Sequence, residues 1–349
     1  MFNKLSIFSL VTLVVIIAAV VFVNLRAPQS DKIKPLFFPT LTNKIETVSK
    51  ISIKSFDNSI NLTRVNDVWT IDEFDGYPAL PDKVKSTVLG VADLKLNAPK
   101  TALERLYPRL GVEGPVADES TSTLLTLADG QGDIIVDVIV GKPRRSSTAQ
   151  STPGLYIRES DQEQSFLVDG LLDISAKNTD WLNRSLLDIP DEVIKRVSIN
   201  HDDGDTFTLF KTQQGQESFR LENMPADKKL APDIIINRFA AILADVQITS
   251  VKKAASIQTP EQVVQASIET FDGLLVKLKA FEFEGRPFVS FQLEALNVEN
   301  KGEDEIKDED MNSFVAGMNQ KLNTWAFEIQ GFKFDILKNR FKDIVRDNS

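Results

Sequence analysis

Two short stretches, SKISI at residues 49–53 and KRVSI at residues 195–199, indicate how the chain is built. Their first residues lie 146 positions apart, and both end on the apolar–polar–apolar alternation of a half-buried β-strand. The spacing predicts that the chain contains two copies of one structural unit.

Further landmarks recur at similar distances along the chain. They are the aromatic strands VWTI (68–71) and SFRL (218–221), the helix starts at 81–82 and 232–233, the Asp-Gly turns at 129–130 and 272–273, and the closing segments NTDW (178–181) and NTW (323–325). Proline at the start of a segment, followed by apolar residues three and four positions apart, predicts a helix. The offsets of these landmarks stay between 143 and 151, which supports a duplication.

Strands linked by turns, with a helix inserted among them, predict an α+β fold. We expect two tandem repeats of mostly antiparallel sheet with packed helices, at residues 48–189 and 190–349. Each repeat is large enough to hold its own core. Four aromatic residues are predicted to anchor these cores: Trp69, Trp181, Phe219 and Trp325. A sugar-binding aromatic platform is the alternative interpretation.

Two apolar stripes predict additional helices at the carboxyl end of the second repeat. The first stripe is Met311, Phe314, Met318 and Leu322, and the second is Phe334, Leu337, Phe341 and Ile344. Packing on the second repeat is the expected function of these helices. Binding to a partner or to a membrane surface is the alternative.

The first 26 residues differ from the rest in composition. Residues 7–23 are apolar except Ser9 and Thr12. A helix that begins at Leu5 and ends at Leu25 would be about 31 Å long, which matches a hydrocarbon core of ~30 Å. We therefore predict a transmembrane anchor at residues 1–26 and a stalk at residues 27–47. A cleaved signal peptide is the alternative, although its apolar region is usually shorter.

The charge balance favours a location outside the cytoplasm for the bulk of the chain. The 349 residues include 40 Lys and Arg and 50 Asp and Glu, for a net charge of −10. An acidic surface is repelled by anionic lipids and by nucleic acids. We expect no nucleic-acid partner, and contact with the lipid bilayer through the N-terminal helix.

The composition also excludes several kinds of catalysis. The chain contains no Cys and one His, His201. Disulfides, thiolate nucleophiles, Cys-ligated zinc and iron–sulfur clusters are therefore excluded, and a His-based triad has little room. Neither the P-loop pattern nor the Gly-x-Ser-x-Gly pattern occurs. The sequence predicts no catalytic residue, no cofactor and no metal site.

Three polar segments have competing interpretations. The cluster HDDGD at 201–205 precedes the strand TFTLF, which predicts a hairpin turn, with a metal site as the alternative. The acidic run at 303–310 is interpreted as a solvated loop before a helix, with a basic partner or a cation as the alternative. Arg144 and Arg145 are interpreted as an exposed linker, with a phosphate or lipid headgroup as the alternative.

The order of motifs resembles a family of membrane-anchored bacterial proteins, the domain-of-unknown-function group numbered 4340. The resemblance covers about residues 48–345 and is carried by VWTI (68–71), LPD (80–82), LGV (110–112), IVG (139–141), GLYIR (154–158), FLV (166–168) and TWAFEI (324–329). Related chains usually carry a Leu-Gly-Leu-type step soon followed by Pro, where this chain has VEGP at 112–115.

The resemblance implies an envelope protein that crosses the bacterial inner membrane once and has its bulk on the periplasmic side. It further implies an association with an uncharacterised ABC-type transport system of the gliding-motility type, and it supplies no active site. We expect a non-enzymatic scaffold or accessory subunit whose partners are membrane proteins such as permease subunits. The alternatives are a periplasmic binding module with a ligand in the groove between the repeats, and a carboxylate-based hydrolase.

Overall fold

The computed structural model describes residues 34–117, 119–144, 152–258, 262–296 and 308–348. The predicted membrane anchor from Leu5 to Leu25 and most of the predicted stalk lie outside these ranges. Within the described ranges, no helix is both long and apolar enough to cross a membrane.

The first half of the described chain forms one antiparallel sheet. Its strands are β1 (Val48–Lys54), β2 (Ser59–Val65), β3 (Val68–Ile71), β4 (Tyr77–Pro78), β5 (Lys95–Pro99), β6 (Thr123–Asp129), β7 (Ile134–Pro143), β8 (Gly154–Glu159) and β9 (Ser165–Asp169). They are arranged in the order β4-β3-β2-β1-β6-β7-β8-β9-β5.

The second half forms another antiparallel sheet. Its strands are β10 (Ser185–Leu187), β11 (Ile194–His201), β12 (Thr206–Phe210), β13 (Arg220–Leu221), β15 (Val246–Lys253), β16 (Val263–Thr270), β17 (Leu274–Phe283), β18 (Arg286–Ala295) and β19 (Trp325–Ile329). They are arranged in the order β10-β15-β19-β18-β17-β16-β11-β12-β13. A separate pair joins β14 (Lys228–Leu230) to β20 (Val345–Asp347).

The two sheets have the same strand order. Strands β11, β12 and β13 correspond to β1, β2 and β3, and strands β15–β19 correspond to β5–β9. With these correspondences, the order of the second sheet read backwards matches the order of the first, apart from the edge strands β4 and β10. The outer edges also correspond, because β10 pairs with β15 where an isolated bridge joins Leu36 to Lys95 in the first half. Mostly antiparallel sheet with a few helices confirms the predicted α+β class.

A β-bulge marks the same position in both sheets. Pairing with β6 shifts between Val48 and Lys50, and pairing with β16 shifts between Ile194 and Arg196, which lie 146 positions further along the chain. A bulge adds one unpaired residue and increases the local twist of the strand. The repeated stretches at 49–53 and 195–199 therefore each begin at the extra residue of a bulge.

The first predicted helix forms as the sequence indicates. It is α1 (Pro81–Ala92), which begins at its proline and buries Val84, Val88 and Val91. In the second half the corresponding segment is shorter, with α3 (Asp233–Ile236) followed by the 3-10 helix Asn237–Ile242. Val246 lies four positions after Ile242, a spacing that would extend the apolar stripe of a helix, but it begins β15. Asp245 adopts a left-handed conformation at φ 45°, which turns the chain into the strand.

The carboxyl-terminal segment contains α4 (Asp308–Leu322), α5 (Gly331–Leu337) and α6 (Phe341–Ile344). The stripe from Phe334 to Ile344 was predicted as one helix, and this prediction is wrong because the helix is interrupted at residues 338–340. Arg340 has an extended backbone, and its N–H donates to the Asp343 carboxylate at 2.9 Å. This contact starts α6 as a separate helix.

A short helix covers one face of the first sheet and requires a glycine beneath it. This helix is α2 (Tyr107–Leu110), and a Cβ at Gly141 would lie 2.4 Å from the Leu110 carbonyl oxygen. The buried Arg158 donates from Nε to the Val112 carbonyl at 3.0 Å, and its guanidinium lies 4.7 Å from the centre of the Tyr107 ring. Three motifs of the family resemblance therefore meet in one packing contact.

A buried lysine fastens α5 to the preceding part of the second half. Lys333 is 3% exposed, and its Nζ donates to the carbonyl oxygens of Ala241 (2.7 Å), Ile242 (3.3 Å) and Ala244. Ala241 and Ile242 belong to the last turn of the 3-10 helix and Ala244 follows it, so their carbonyls lack donors within that helix. Burial lowers the pKa of the Lys333 amine, although the charges of Asp245 and Asp188 act in the opposite direction.

Replacing this lysine is expected to destabilise the fold. Lys333→Met should lower the free energy of unfolding by about 2–3 kcal/mol, because the buried carbonyls lose their donor. Lys338→Met is the matched control, since Lys338 is exposed and its ion pair with Glu282 contributes at most ~1 kcal/mol. Urea unfolding measures both values, and equal losses in the two variants would contradict the assignment.

Candidate functional site

Aromatic side chains join the two halves. Tyr77 is on β4, and its ring centre lies 5.1 Å from that of Trp325 and 6.0 Å from that of Phe327, both on β19. The interplanar angles of 83° and 87° are those of edge-to-face packing. Burial raises the pKa of the Tyr77 phenol. We call this contact, together with the polar contacts of Asp75 described next, the joint.

The polar part of the joint is an aspartate that binds β15, the strand next to the outer strand β10 of the second sheet. The Asp75 carboxylate accepts a hydrogen bond from the backbone N–H of Lys253 at 2.9 Å, and it lies 3.5 Å from the Lys252 ammonium. Asp75 adopts φ 53°, a left-handed conformation that aspartate tolerates better than most residues. Lys253 pairs with Trp325 of β19 on one side, but among the described residues no strand reaches it on the other side, where Asp75 of the first half satisfies its N–H.

The hydrophobic core continues across the joint. Buried residues of both sheets belong to one cluster, with Tyr77 and Trp325 packed against it. The two sizeable concavities described below each lie within one half. Among the described residues, nothing therefore points to a ligand in a groove between the halves.

The larger concavity, of about 630 Å³, lies at one end of the second sheet. Its floor is apolar and includes Val264, Phe281 and Phe334. Charged side chains form its rim: Asp202, Asp203, Glu282, Lys338 and Arg340, together with His201. We call it the His201 cavity.

The rim of the His201 cavity is held by contacts between the β11–β12 turn and the α5–α6 linker. His201 Nε2 lies 2.9 Å from the Asn339 carbonyl oxygen, so this nitrogen carries the hydrogen and donates it. The Arg340 guanidinium lies 2.6 Å from Asp203 and 3.5 Å from Asp205. Hydrogen bonds from Arg340 and from the Asp205 N–H lower the pKa of the Asp203 carboxyl.

The segment HDDGD is thus the predicted hairpin turn, with Gly204 at φ 89°. The aspartates of this turn bind other segments of the same chain. Asp203 binds Arg340, and Asp202 accepts a hydrogen bond from the Val263 N–H at 2.8 Å. Within the described ranges, no group of three or more potential metal-ligating side chains could hold a metal ion.

The second concavity, of about 470 Å³, lies in the first half between residues 37–40 and the start of β7. Asp137, Glu159 and Asp161 lie along it. The Asp137 carboxylate accepts from the Thr126 hydroxyl at 2.5 Å and from the Ser160 hydroxyl. These two hydroxyl donors fix the orientation of the Asp137 carboxylate on the first sheet.

Arg144, part of the predicted exposed linker, belongs to a partly buried charge cluster. Its guanidinium lies 3.5 Å from Asp169, which also binds Lys34 and accepts from the Asn97 amide at 2.7 Å. Burial by itself would raise the pKa of Asp169, but these hydrogen bonds and positive charges outweigh it and lower the pKa. Lys34 thus attaches the start of the described chain to β9. Arg145 and residues 303–307 lie outside the described ranges.

The four predicted aromatic anchors lie in different elements. Trp181 is fully buried and donates its indole N–H to the Ser175 carbonyl at 2.8 Å. Phe219 is also buried, with the Lys211 ammonium 4.8 Å from its ring centre. Trp69 on β3 is half-buried, and Trp325 contributes to the joint.

The sequence interpretation missed Asp75 and Tyr77. The Asp-Gly pair at 75–76 was a turn signal that could have drawn attention to this segment.

Removing the aromatic contact should weaken the joint. Tyr77→Ala is expected to lower the free energy of unfolding by about 2 kcal/mol, because it empties the space between the two halves. Urea unfolding followed by tryptophan fluorescence and by far-UV circular dichroism should then give two separate transitions. Tyr77→Phe, which keeps the ring, should leave them coincident. Coincident, unshifted transitions in Tyr77→Ala would contradict the joint.

The turn at the His201 cavity should respond to pH through Asp203. The pKa of Asp203 is lowered in the folded state, so the carboxylate stabilises the fold at pH values above its unfolded-state pKa. This stabilisation is lost as the pH falls through the folded-state pKa. NMR titration of the carboxyl should give a pKa below the ordinary value in the native chain and near it in Arg340→Met. An unchanged Asp203 titration in this variant would rule out the ion pair.

Comparison with protein families identifies the group to which the chain belongs. The family model described as a domain of unknown function (DUF4340) matches residues 69–266, a range that runs from β3 to the middle of β16. Comparisons with curated proteins and with solved structures gave no match. The matched range includes Asp75 and Tyr77 of the joint and covers 198 of the 349 residues. The chain therefore belongs to this family of domains of unknown function.

Proposed function

We propose that the protein is a non-enzymatic scaffold that holds partner membrane proteins at a fixed position, as an accessory subunit of an ABC-type transport system. In this proposal, the apolar helix from Leu5 to Leu25 crosses the bacterial inner membrane once, and both halves lie on the periplasmic side. The anchor is supported by the apolar run at 7–23, and the link to transport is supported by the family resemblance.

The observation that carries the proposal is the closed joint. A two-domain binding protein closes around its ligand by a hinge motion between domains that share few contacts. Here Tyr77 packs against the second sheet, and Asp75 binds a backbone donor of β15. A unit of this kind suits a rigid spacer, which sets the distance and orientation between an anchor and its partners.

The charge of the chain is consistent with this arrangement. A net charge of −10 disfavours adsorption of the folded part onto anionic lipid. In the proposal the anchor alone then holds the protein at the bilayer, and the two halves remain free to contact partner proteins.

Purification of the full-length chain from its native membranes in mild detergent tests the proposal. We expect a multi-spanning permease and an ATPase to be recovered with the native chain and with Tyr77→Phe. Tyr77→Ala should recover at least threefold less of both, since a loosened joint no longer fixes the partner-binding geometry.

Two outcomes would count against the scaffold. One is recovery of the chain without any transporter subunit. The other is equal recovery by Tyr77→Ala and Tyr77→Phe, which would show that the joint has no bearing on the partner.

A further inference from the structure

One long strand of the second sheet lacks a strand neighbour along much of one edge. β18 pairs with β17 from Arg286 to Ala295, but it pairs with β19 only at Phe288 and Val289. Residues 290–295 therefore have no strand on this edge among the described residues. In the first half the matching strand β8 pairs with β9 at five consecutive positions.

A helix side chain occupies this edge instead of a strand. Asn319 of α4 accepts from the Leu293 N–H at 2.9 Å through Oδ1, and its Nδ2 donates to the Leu293 carbonyl at 2.8 Å. In an antiparallel pair, a residue on the neighbouring strand makes these same two bonds. The amide of Asn319 thus satisfies one residue of the edge in the manner of a strand.

Two other residues of this edge orient their backbone groups as Leu293 does. Because strand geometry repeats every two residues, Phe291 and Ala295 direct their backbone N–H and C=O groups the same way as Leu293. A strand at this edge could pair with all three residues, whereas the Asn319 amide pairs with one.

Four apolar side chains of α4 pack into or against the hydrophobic core. Met311 and Leu322 are buried, Val315 and Met318 are partly buried, and Phe314 is 46% exposed. The predicted stripe through Phe314 is therefore only partly covered by the sheet.

The outer strands of both sheets offer less to a partner. β4 is two residues long and lies in the joint, β13 is also two residues long, and β10 has three. Leu36 bridges to β5 at its outer edge. Short or covered edge strands resist the addition of another strand. Among the described residues, the β18 edge at 290–295 offers an extended partner a long set of backbone bonds.

We infer that residues 290–295 of β18 form a strand-addition site for an extended segment of a partner protein, and that α4 is its removable cover. The inference rests on the proposed function, because it names the surface through which the scaffold would hold its partner. Phe291 and Leu293 are buried in the core, so the added strand must present apolar side chains on the same face. Its other face lies beside Gln292 and Glu294 and should be polar or basic.

A peptide taken from the chain itself serves as the probe. Residues 164–170, QSFLVDG, contain β9, the strand that fills the matching edge in the first half. The labelled peptide is titrated into the full-length protein in mild detergent, and fluorescence anisotropy reports the binding. Asn319→Ala loosens the cover and keeps a good helix former, while Asn312→Ala, at an exposed position of the same helix, is the matched control.

We expect Asn319→Ala to bind the peptide about tenfold more tightly than the native chain, because a larger fraction of its molecules has the edge uncovered. Asn312→Ala should bind like the native chain. Asn319→Asp, which keeps the acceptor for the Leu293 N–H and loses the donor, should lie between them. A peptide with Leu167→Pro should not bind, and hydrogen exchange should show that the bound peptide protects residues 290–295.

Equal affinities of Asn319→Ala and the native chain would overturn the inference. So would absence of binding to both Asn319→Ala and Asn319→Asp when circular dichroism shows them folded, or protection confined to other residues. This measurement uses neither a membrane nor a permease. Its failure therefore leaves the transporter association standing, and loss of that association leaves the strand site standing.

Discussion

The contact of Tyr77 with Trp325 and Phe327 brings the edge of one sheet against the face of another. An edge strand normally exposes unpaired N–H and C=O groups, which invite association with other chains. Here the last strand of the first sheet is short and packed, and Asp75 supplies an acceptor to β15 of the second sheet. Each edge-to-face aromatic contact stabilises the fold by about 0.5–1.5 kcal/mol beyond the contribution of buried apolar area. The joint thus makes one continuous core from two sheets that could otherwise move independently.

The shared strand order makes the differences between the halves informative. In the first half, α2 covers one face of the sheet at Gly141, and β9 pairs with β8 along nearly its whole length. In the second half, α4 follows β18 in the sequence and binds its edge through Asn319, and the α5–α6 linker is tied to the β11–β12 turn through His201 and Arg340. The HDDGD turn and Arg144, the polar segments with a possible ligand site in the sequence, instead hold neighbouring elements of the fold together. This use of charge is consistent with the scaffold proposal, since the side chains hold elements of the chain in place.

The sequence predicted those parts of the fold that depend on local pattern. Alternation marked the strands, and Pro81 with its apolar stripe marked α1. The end of the second-half helix could not be predicted, because it depends on the left-handed conformation of a single residue, Asp245. The linker before α6 contacts residues about 137 positions away, and the Asp75–Lys253 bond spans 178 positions. Interactions of that range leave no periodic signal, so the joint and the edge of β18 required the structure.

The rigidity of the joint can be measured directly, because the chain has no native Cys and accepts site-specific labels without competition. Spin labels at Lys85→Cys on α1 and Gln265→Cys on β16 place one probe on an exposed position of each half. Pulsed electron paramagnetic resonance then reports the distribution of distances between them. The account predicts a single narrow distribution, and a broad or multiply peaked distribution would contradict it.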